Sequence, residues 1–223
     1  LLPFWYTFFR TLDCNVIVSP HSTRKLYLSG QQTIPSDTVC YPAKLMHGHI
    51  EALIETHPDI IFYPCMSYNL NEGKGDNHYN CPVVAYYPKV IKANMQLPQD
   101  ITLVTDFIGL HNKKEFPPHM LHLLEKYFGV GCYTLRQVKA AANAAYLAYD
   151  EHMAALRQKG EEIYRKACDE NKPVIVLSGR PYHIDPEIGH GIDGLATSDG
   201  FCVLTEDAVA WKMGYQPRKV LNQ

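Results

Sequence analysis

Asp59-Ile60-Ile61-Phe62-Tyr63-Pro64-Cys65 is the stretch on which the fold turns. The apolar run reads as a strand, and Pro64 ends it. Working outward, Pro42 stands near the first turn of a helix reaching about Thr56, with Leu45, Ile50, Leu53 and Ile54 on its apolar side. Downstream, Val83-Val-Ala-Tyr-Tyr87 reads as another strand, Pro88 to Met95 as the start of a helix and Ile101-Thr-Leu-Val-Thr105 as a further strand. Upstream, Pro3 to Leu12 reads as a short buried helix and Asn15-Val-Ile-Val-Ser19 as a buried strand. Ser22-Thr23 is suited to cap a helix through Leu28. Strands separated by helices predict a mainly parallel, Rossmann-like sheet, and the fold class is α/β.

A second regime begins near Pro117. His119 to Phe128 reads as a helix closed by Gly129, and Thr134 opens a long helical segment to about Glu170. Val138, Ala142, Ala145, Leu147, Met153, Leu156, Ile163 and Tyr164 approximate its apolar face, and Gly160 is expected to weaken it locally. Pro173 to Ser178 is a strong strand, Ile188 to Ser198 a weak helix and Phe201 to Thr205 another strand. The expected organisation is a Rossmann-like lobe over 1–112, a helical connector over 113–171 and a partial second α/β lobe over 172–223. The polar, Gly-containing stretch Asn69–Asn80 reads as a mobile loop.

At 223 residues, the chain is long enough for one large or two small domains. A net charge of −2 gives no electrostatic reason for nucleic acid or an anionic membrane as partner. No apolar run reaches the roughly 18–20 residues of a membrane span. The apolar opening Leu1 to Phe9 has neither a basic segment before it nor a small-residue cleavage site. Without an initiator Met, and stopping abruptly at Gln223, the sequence reads as a piece of a longer protein. Seven cysteines with no close-spaced framework fit a reducing cytoplasm. The lack of any Cys-x-x-Cys pair counts against a zinc ribbon or a thioredoxin-type dithiol.

Three cysteines, Cys40, Cys65 and Cys81, each sit beside a proline where a strand-like run meets a turn or helix start. Loop ends of an α/β sheet are where binding groups gather. Thiolates suit iron–sulfur clusters and zinc, and three of them leave one ligand position open. The competing reading is three ordinary buried cysteines, since free Cys is among the most buried residue types. Cys14, Cys132, Cys168 and Cys202 read as structural, with Cys132 the one serious spare ligand among them. A thiolate at Cys40 would be favoured by the dipole of the following helix, and Lys44, one turn on, is placed to offset negative charge. His47 and His49, two apart on a helix, point in different directions, and Gly48 between them suggests close approach of a neighbouring element. Gly179-Arg-Pro-Tyr-His-Ile-Asp-Pro186 follows a strand. There Arg180 is suited to a carboxylate or phosphate and His183 with Asp185 to an oriented pair, against the plainer reading of a turn capped by Asp185. Neither a dinucleotide fingerprint nor a serine-hydrolase elbow is present.

The run Thr33-Ile-Pro-Ser-Asp-Thr-Val-Cys40-Tyr-Pro-Ala-Lys-Leu-Met-His-Gly-His49, with Pro3-Phe-Trp, Ile61-Phe-Tyr-Pro-Cys65, Asn80-Cys81-Pro and the Gly179–Pro186 segment, resembles the 2-hydroxyglutaryl-CoA dehydratase activator-related proteins. This is the CoA-substrate-specific enzyme activase group. The resemblance covers nearly the whole chain and implies ATPase modules of the actin-like fold as partners in the same longer protein. Their phosphate-binding glycine motifs do not occur here, so no ATP hydrolysis and no turnover by the isolated chain are expected. A more distant likeness to the dehydratase subunits and double-cubane cluster proteins implies a 4Fe–4S cluster on Cys40, Cys65 and Cys81, easily lost in air. It also implies an acceptor protein or CoA thioester facing the cleft between lobes, and a possible homodimer, in anaerobic metabolism.

The expected function is thus an iron–sulfur electron-transfer module of an ATP-dependent activase or reductase, with Lys44 and His49 beside the cofactor. Arg180 and His183 would contact an anion or ligand, and the Asn69–Asn80 loop would control access. The alternative is a non-catalytic ligand-binding or docking domain with metal-free cysteines. A third reading is zinc held by the same thiols plus His49 or another histidine, as a structural or adventitious site.

Overall fold

The computed structural model describes residues 1–71 and 77–212. The expected loop over Asn69–Asn80 falls partly outside the described residues. Its two ends, however, form a short antiparallel stem, with Tyr68 bridged to Tyr79 and the Asn69 N–H donating to the His78 carbonyl.

The chain is mixed α/β, and its strands form two separate parallel pairs. Helix α1 (Leu2–Thr11), α2 (Arg24–Gly30) and α3 (Tyr41–Ile54) lead into β1 (Ile60–Phe62), then α4 (Pro82–Asn94) and β2 (Thr102–Val104). Strands β1 and β2 pair in register, Ile60 opposite Thr102 and Phe62 opposite Val104. Next come α5 (Phe116–Phe128) and α6 (Leu135–Asp169). These are followed by β3 (Val174–Leu177), α7 (Ile192–Ser198), β4 (Cys202–Thr205) and the short α8 (Glu206–Val209). Strands β3 and β4 are again parallel, Val174 opposite Cys202. Both pairs follow the strand–helix–strand rule that parallel neighbours need a crossover.

Two apolar clusters hold the first part together. In one, α1, α5 and the start of α6 bury Phe4, Phe8, Phe116, Met120, Val138 and Ala142. Phe116 meets Phe4 edge to face at 5.4 Å and Phe8 at 5.6 Å. Such pairs contribute about 0.5–1.5 kcal/mol beyond area burial. The second cluster packs Ala43 and Ile50 of α3 and Tyr87 and Ile91 of α4 on Ile61 and Leu103 of the strands.

Helix α6 is 35 residues long and starts where local chemistry dictates. The Thr134 hydroxyl accepts from the Gln137 N–H while the Gln137 side chain accepts from the Thr134 N–H. Thr134→Ala removes half of that reciprocal cap and is expected to cost about 1 kcal/mol, readable as a small fall in the denaturant midpoint. The expected weak point at Gly160 is absent. Helix α6 runs through it, and the missing Cβ admits α8, because a built Cβ would sit 2.6 Å from that of Ala208. The expected apolar face is also corrected. Its buried positions are Val138, Ala141, Ala142, Ala145 and Tyr146, then Gly160 and Ala167, whereas Leu147 is 58% exposed and Tyr164 lies at the surface. The helix buries its two ends and leaves its middle to solvent.

Two strand expectations are corrected. Asn15–Ser19 forms no strand, and Ile17 and Val18 are 45% and 48% exposed. An apolar run becomes a strand only where its ladder is taken up beside another strand, and among the described residues β1 pairs only with β2, so this run docks on neither. Val83–Tyr87 is the first half of α4, not a strand, and Pro88 lies inside that helix instead of opening one. Cys81 is the N-cap and Pro82 takes the first-turn position where a missing N–H costs nothing. Buried Ala85, Pro88 and Ile91 then recur at helical spacing. The remaining expected helices and strands form, each within a few residues of its expected bounds, although the last expected helix is shorter, starting only at Ile192.

Candidate functional site

Topology carries the three cysteines to one edge. Helix α3 turns directly into β1 and packs back on it, so its first residues stand at the carboxyl end of that strand. Helix α4 is the crossover from β1 to parallel β2, so its start stands at the same end. Cys40 is the N-cap of α3 and Cys81 the N-cap of α4, while Cys65 lies just past β1, bridged to Phe107 past β2. This carboxyl edge is where open α/β sheets bind ligands.

The three thiols differ in setting. Cys40 is exposed, Cys81 half-buried and Cys65 buried. The Cys81 sulfur accepts from the Val84 N–H at 3.5 Å. Neither α3 nor α4 has an acidic residue in its first turn, so both dipoles act on their N-cap thiols uncompensated. Burial pushes the Cys65 thiol up, while the charge and backbone N–H of Lys89 favour its thiolate. Lys89 is held there by the Thr105 hydroxyl at 3.1 Å. Asp106, the nearby carboxylate, is engaged by Lys126 at 2.7 Å and by the Tyr127 hydroxyl. Burial acts to raise Asp106, and these two partners outweigh it and hold the carboxyl below its usual range.

Two tyrosines tie the thiols together. Tyr63 is raised above the usual phenol range by burial first, and also by the neighbouring Tyr87, Cys65 and Cys40. Tyr182 is raised by burial and by Cys40 and Cys81, against the pull of Arg180. Tyr182 comes from the segment after β3, which therefore leans over the cysteine edge. Hydrogen bonds anchor that segment. The Tyr41 hydroxyl donates to Glu187 Oε1 at 2.6 Å, and the Ser22 hydroxyl donates to Asp185 Oδ2 at 2.5 Å. Since the Ser22 proton is committed to Asp185, Ser22 accepts from His49 Nε2 at 3.0 Å, and His49 Nδ1 in turn accepts from Ser19.

His47 and His49 do point apart, as their spacing requires. His47 is buried between Thr33 and Tyr87, linking α3 to α4, whereas His49 faces Ser19 and Ser22. Lys44 donates to the Asp37 carbonyl at 2.8 Å. His183 Nδ1 accepts from the Arg180 N–H instead of pairing with Asp185, and Asp185 Oδ1 accepts from the N–H groups of Glu187 and Ile188 in a turn. Beside Arg180, the Ser178 hydroxyl and Gly179 N–H already donate to Glu206 Oε2.

The donor set suits a thiolate site in kind: three thiols toward one edge, two of them at helix N-termini. Among the described residues, no three His, Cys, Asp or Glu side chains stand together as a closed ligand group. The sequence reading missed Lys89 because taking Val83–Tyr87 as a strand hid its place two turns after Cys81 on one helix. It missed Tyr182 because only the fold brings the post-β3 segment to this edge.

Among the described residues, no helix is long and apolar enough to cross a membrane. No curated protein and no solved structure matches the chain. The expected kinship with CoA-substrate activases is shown by a family model that matches residues 1–209, and the chain belongs to that family, the CoA enzyme activase uncharacterised domain.

Proposed function

We propose that this chain is the electron-transfer module of an ATP-dependent activase system, with Cys40, Cys65 and Cys81 as the thiolates that hold an iron–sulfur centre of the 4Fe–4S type. The observation that supports this most is the delivery of three thiols from three chain segments to one carboxyl edge. When bound there, such a centre supplies a one-electron carrier with an open ligand position. The chain's own residues set its surroundings. Two helix dipoles and Lys89 offset thiolate charge, Lys44 and His49 lie on the helix that Cys40 opens, and Tyr63 and Tyr182 stand close to the thiols. Arg180 and His183, on the anchored segment after β3, are placed to meet an anionic acceptor or CoA-type ligand in the cleft. A site in the cytoplasm, and a homodimer, belong to the same reading.

A second reading is a docking domain with reduced, metal-free cysteines. It is favoured by the absence of a closed ligand group among the described residues. Anaerobic reconstitution with iron and sulfide separates the two. On the first reading, wild type takes up about four irons per chain with a broad visible absorption band, and Cys40→Ala loses both. An unchanged Cys40→Ala spectrum, or no specific uptake by wild type, moves the assignment to the docking domain.

A further inference from the structure

From Ser178 to Gly191 the chain that links β3 to α7 buries none of its residues, and Ile184 stands 65% exposed. Hydrogen bonds shape it instead. The His183 N–H donates to the Arg180 carbonyl at 2.9 Å, the Asp185 N–H to the Tyr182 carbonyl at 3.1 Å and the Gly189 N–H to the Asp185 carbonyl at 2.7 Å. Asp185 Oδ1 also accepts from the Glu187 and Ile188 N–H groups, so the segment is tied within itself. Two carboxylates latch it to the body: Asp185 Oδ2 to the Ser22 hydroxyl at 2.5 Å and Glu187 Oε1 to the Tyr41 hydroxyl at 2.6 Å. The His190 ring stacks on Tyr41 at 6.5 Å and 19°. Tyr41 directly follows Cys40, so the second latch closes beside that thiol. A segment with no buried residue, held by polar anchors, separates from its body at a small free-energy cost. Its far end is strained. His190 lies at φ +52°, a region that residues with a side chain avoid, and Gly191 follows at φ +72°.

We propose that residues 179–191 form a hinged strap that latches through Asp185 and Glu187 and gates the thiols of the cysteine edge. The gate rests on the reading of that edge as the working site, and it adds the control of access to it. Latched, the strap holds Tyr182 beside Cys40 and Cys81, whose charges add to burial in raising its phenol. Arg180 and His183 then stand at the mouth of the edge. Unlatched, the tied segment swings as one piece about His190 and Gly191, relieves the strain at His190 and clears the edge for a cofactor or a redox partner. The latches are hydrogen bonds to carboxylates, strong enough to keep the closed state the major one. A ligand opens the strap only by binding better to the open edge than to the closed one.

Iodoacetamide labelling of the metal-free chain, read cysteine by cysteine by mass spectrometry, tests this. In wild type, Cys81 is expected to label slowly, at a rate that rises only weakly with urea, because a local opening exposes little surface. Ser22→Ala with Tyr41→Phe removes both latches and keeps the ring at position 41. In that double variant Cys81 is expected to label at least about tenfold faster, while the exposed Cys168 of α6 labels at the wild-type rate. Hydrogen exchange is expected to find residues 179–191 unprotected in the variant and α3 as protected as in wild type. Equal Cys81 rates in wild type and a folded double variant overturn the gate. If the double variant does not fold, wild type alone decides: Cys81 labelling as steep in urea as global unfolding overturns a local strap opening. Labelling needs no iron, so the two readings fail separately. Faster labelling without iron uptake keeps the strap and removes the iron–sulfur centre, whereas iron uptake with equal Cys81 rates keeps the centre and removes the strap.

Discussion

Gly48→Ala destabilises the chain by about 3 kcal/mol or more, at the upper end for overpacking. Helix α2 crosses α3 with backbone against backbone. A Cβ built on Gly48 lies 1.9 Å from the Leu26 carbonyl oxygen and 2.7 Å from its carbon. The obstacle is main chain inside a helix, so no rotamer change relieves it. From the other side, a Cβ on Gly30 lies 2.2 Å from the Gly48 nitrogen. Either methyl forces the helices apart, and the separation strips contacts from Leu26, which is buried. For a chain of this size, a loss of 3 kcal/mol lowers the melting temperature by roughly 6–12 °C. Gly30→Ala is expected to match Gly48→Ala, and the double variant to cost less than the sum, because one displacement serves both methyls. A Gly48→Ala melt within a degree or two of wild type would show that the two helices do not cross at this pair.

That crossing was half legible in the sequence. Gly48 between two histidines suggested close approach, but the partner, Leu26 on the next helix back, depends on how two short helices pack. The same division runs through the fold. The Thr134 cap, the Pro64 stop, Gly129 after α5 and the strand-forming run at Ile60–Phe62 are local signals, and each element forms where its signal places it. Val83–Tyr87 and Asn15–Ser19 failed because β-branched and aromatic runs carry no direction of their own. In one, an N-cap thiol and a first-turn proline tipped the chain to helix. In the other, the run does not dock on either edge of the β1–β2 pair. The cysteines could be offered as candidates from their setting beside prolines at turns and helix starts. Their surroundings could not, because Lys89 needed α4 to be a helix, and Tyr182 needed Asp185 and Glu187 to reach Ser22 and Tyr41 across more than a hundred residues.

His47 sets how the two cysteine-bearing helices stand relative to each other, and its removal carries the second large cost. Its side chain is fully buried on α3. The Thr33 hydroxyl donates to the Gly30 carbonyl at 2.9 Å, so it accepts from His47 Nδ1 at 2.7 Å. Nε2 is left as the acceptor for the Tyr87 hydroxyl of α4 at 2.9 Å. The ring is therefore neutral and fully used. His47→Ala is expected to cost about 3–4 kcal/mol, from the cavity together with an orphaned Tyr87 hydroxyl. His47→Leu refills the volume and is expected to recover part of the loss, though not the part due to the polar partners. Burial lowers the His47 pKa from its ordinary 6.5. The unfolded chain then binds the proton more readily than the folded one as pH falls. The stability from neutral His47 is thus present above pH 6.5 and is lost as pH drops from there through the folded value. The slope for a single proton reaches at most about 1.4 kcal/mol per pH unit. His49 is also lowered, by burial first and against the pull of Asp185, and contributes with the same sign. Urea melts at stepped pH below 6.5 read this directly: wild type is expected to weaken steadily, and His47→Leu, although weaker at neutral pH, is expected to show a flatter profile. Parallel profiles for the two would mean that the ring takes up its proton in the folded state as easily as in the unfolded one. The neutral bridge from Thr33 through His47 to Tyr87 would then not be what joins α3 to α4.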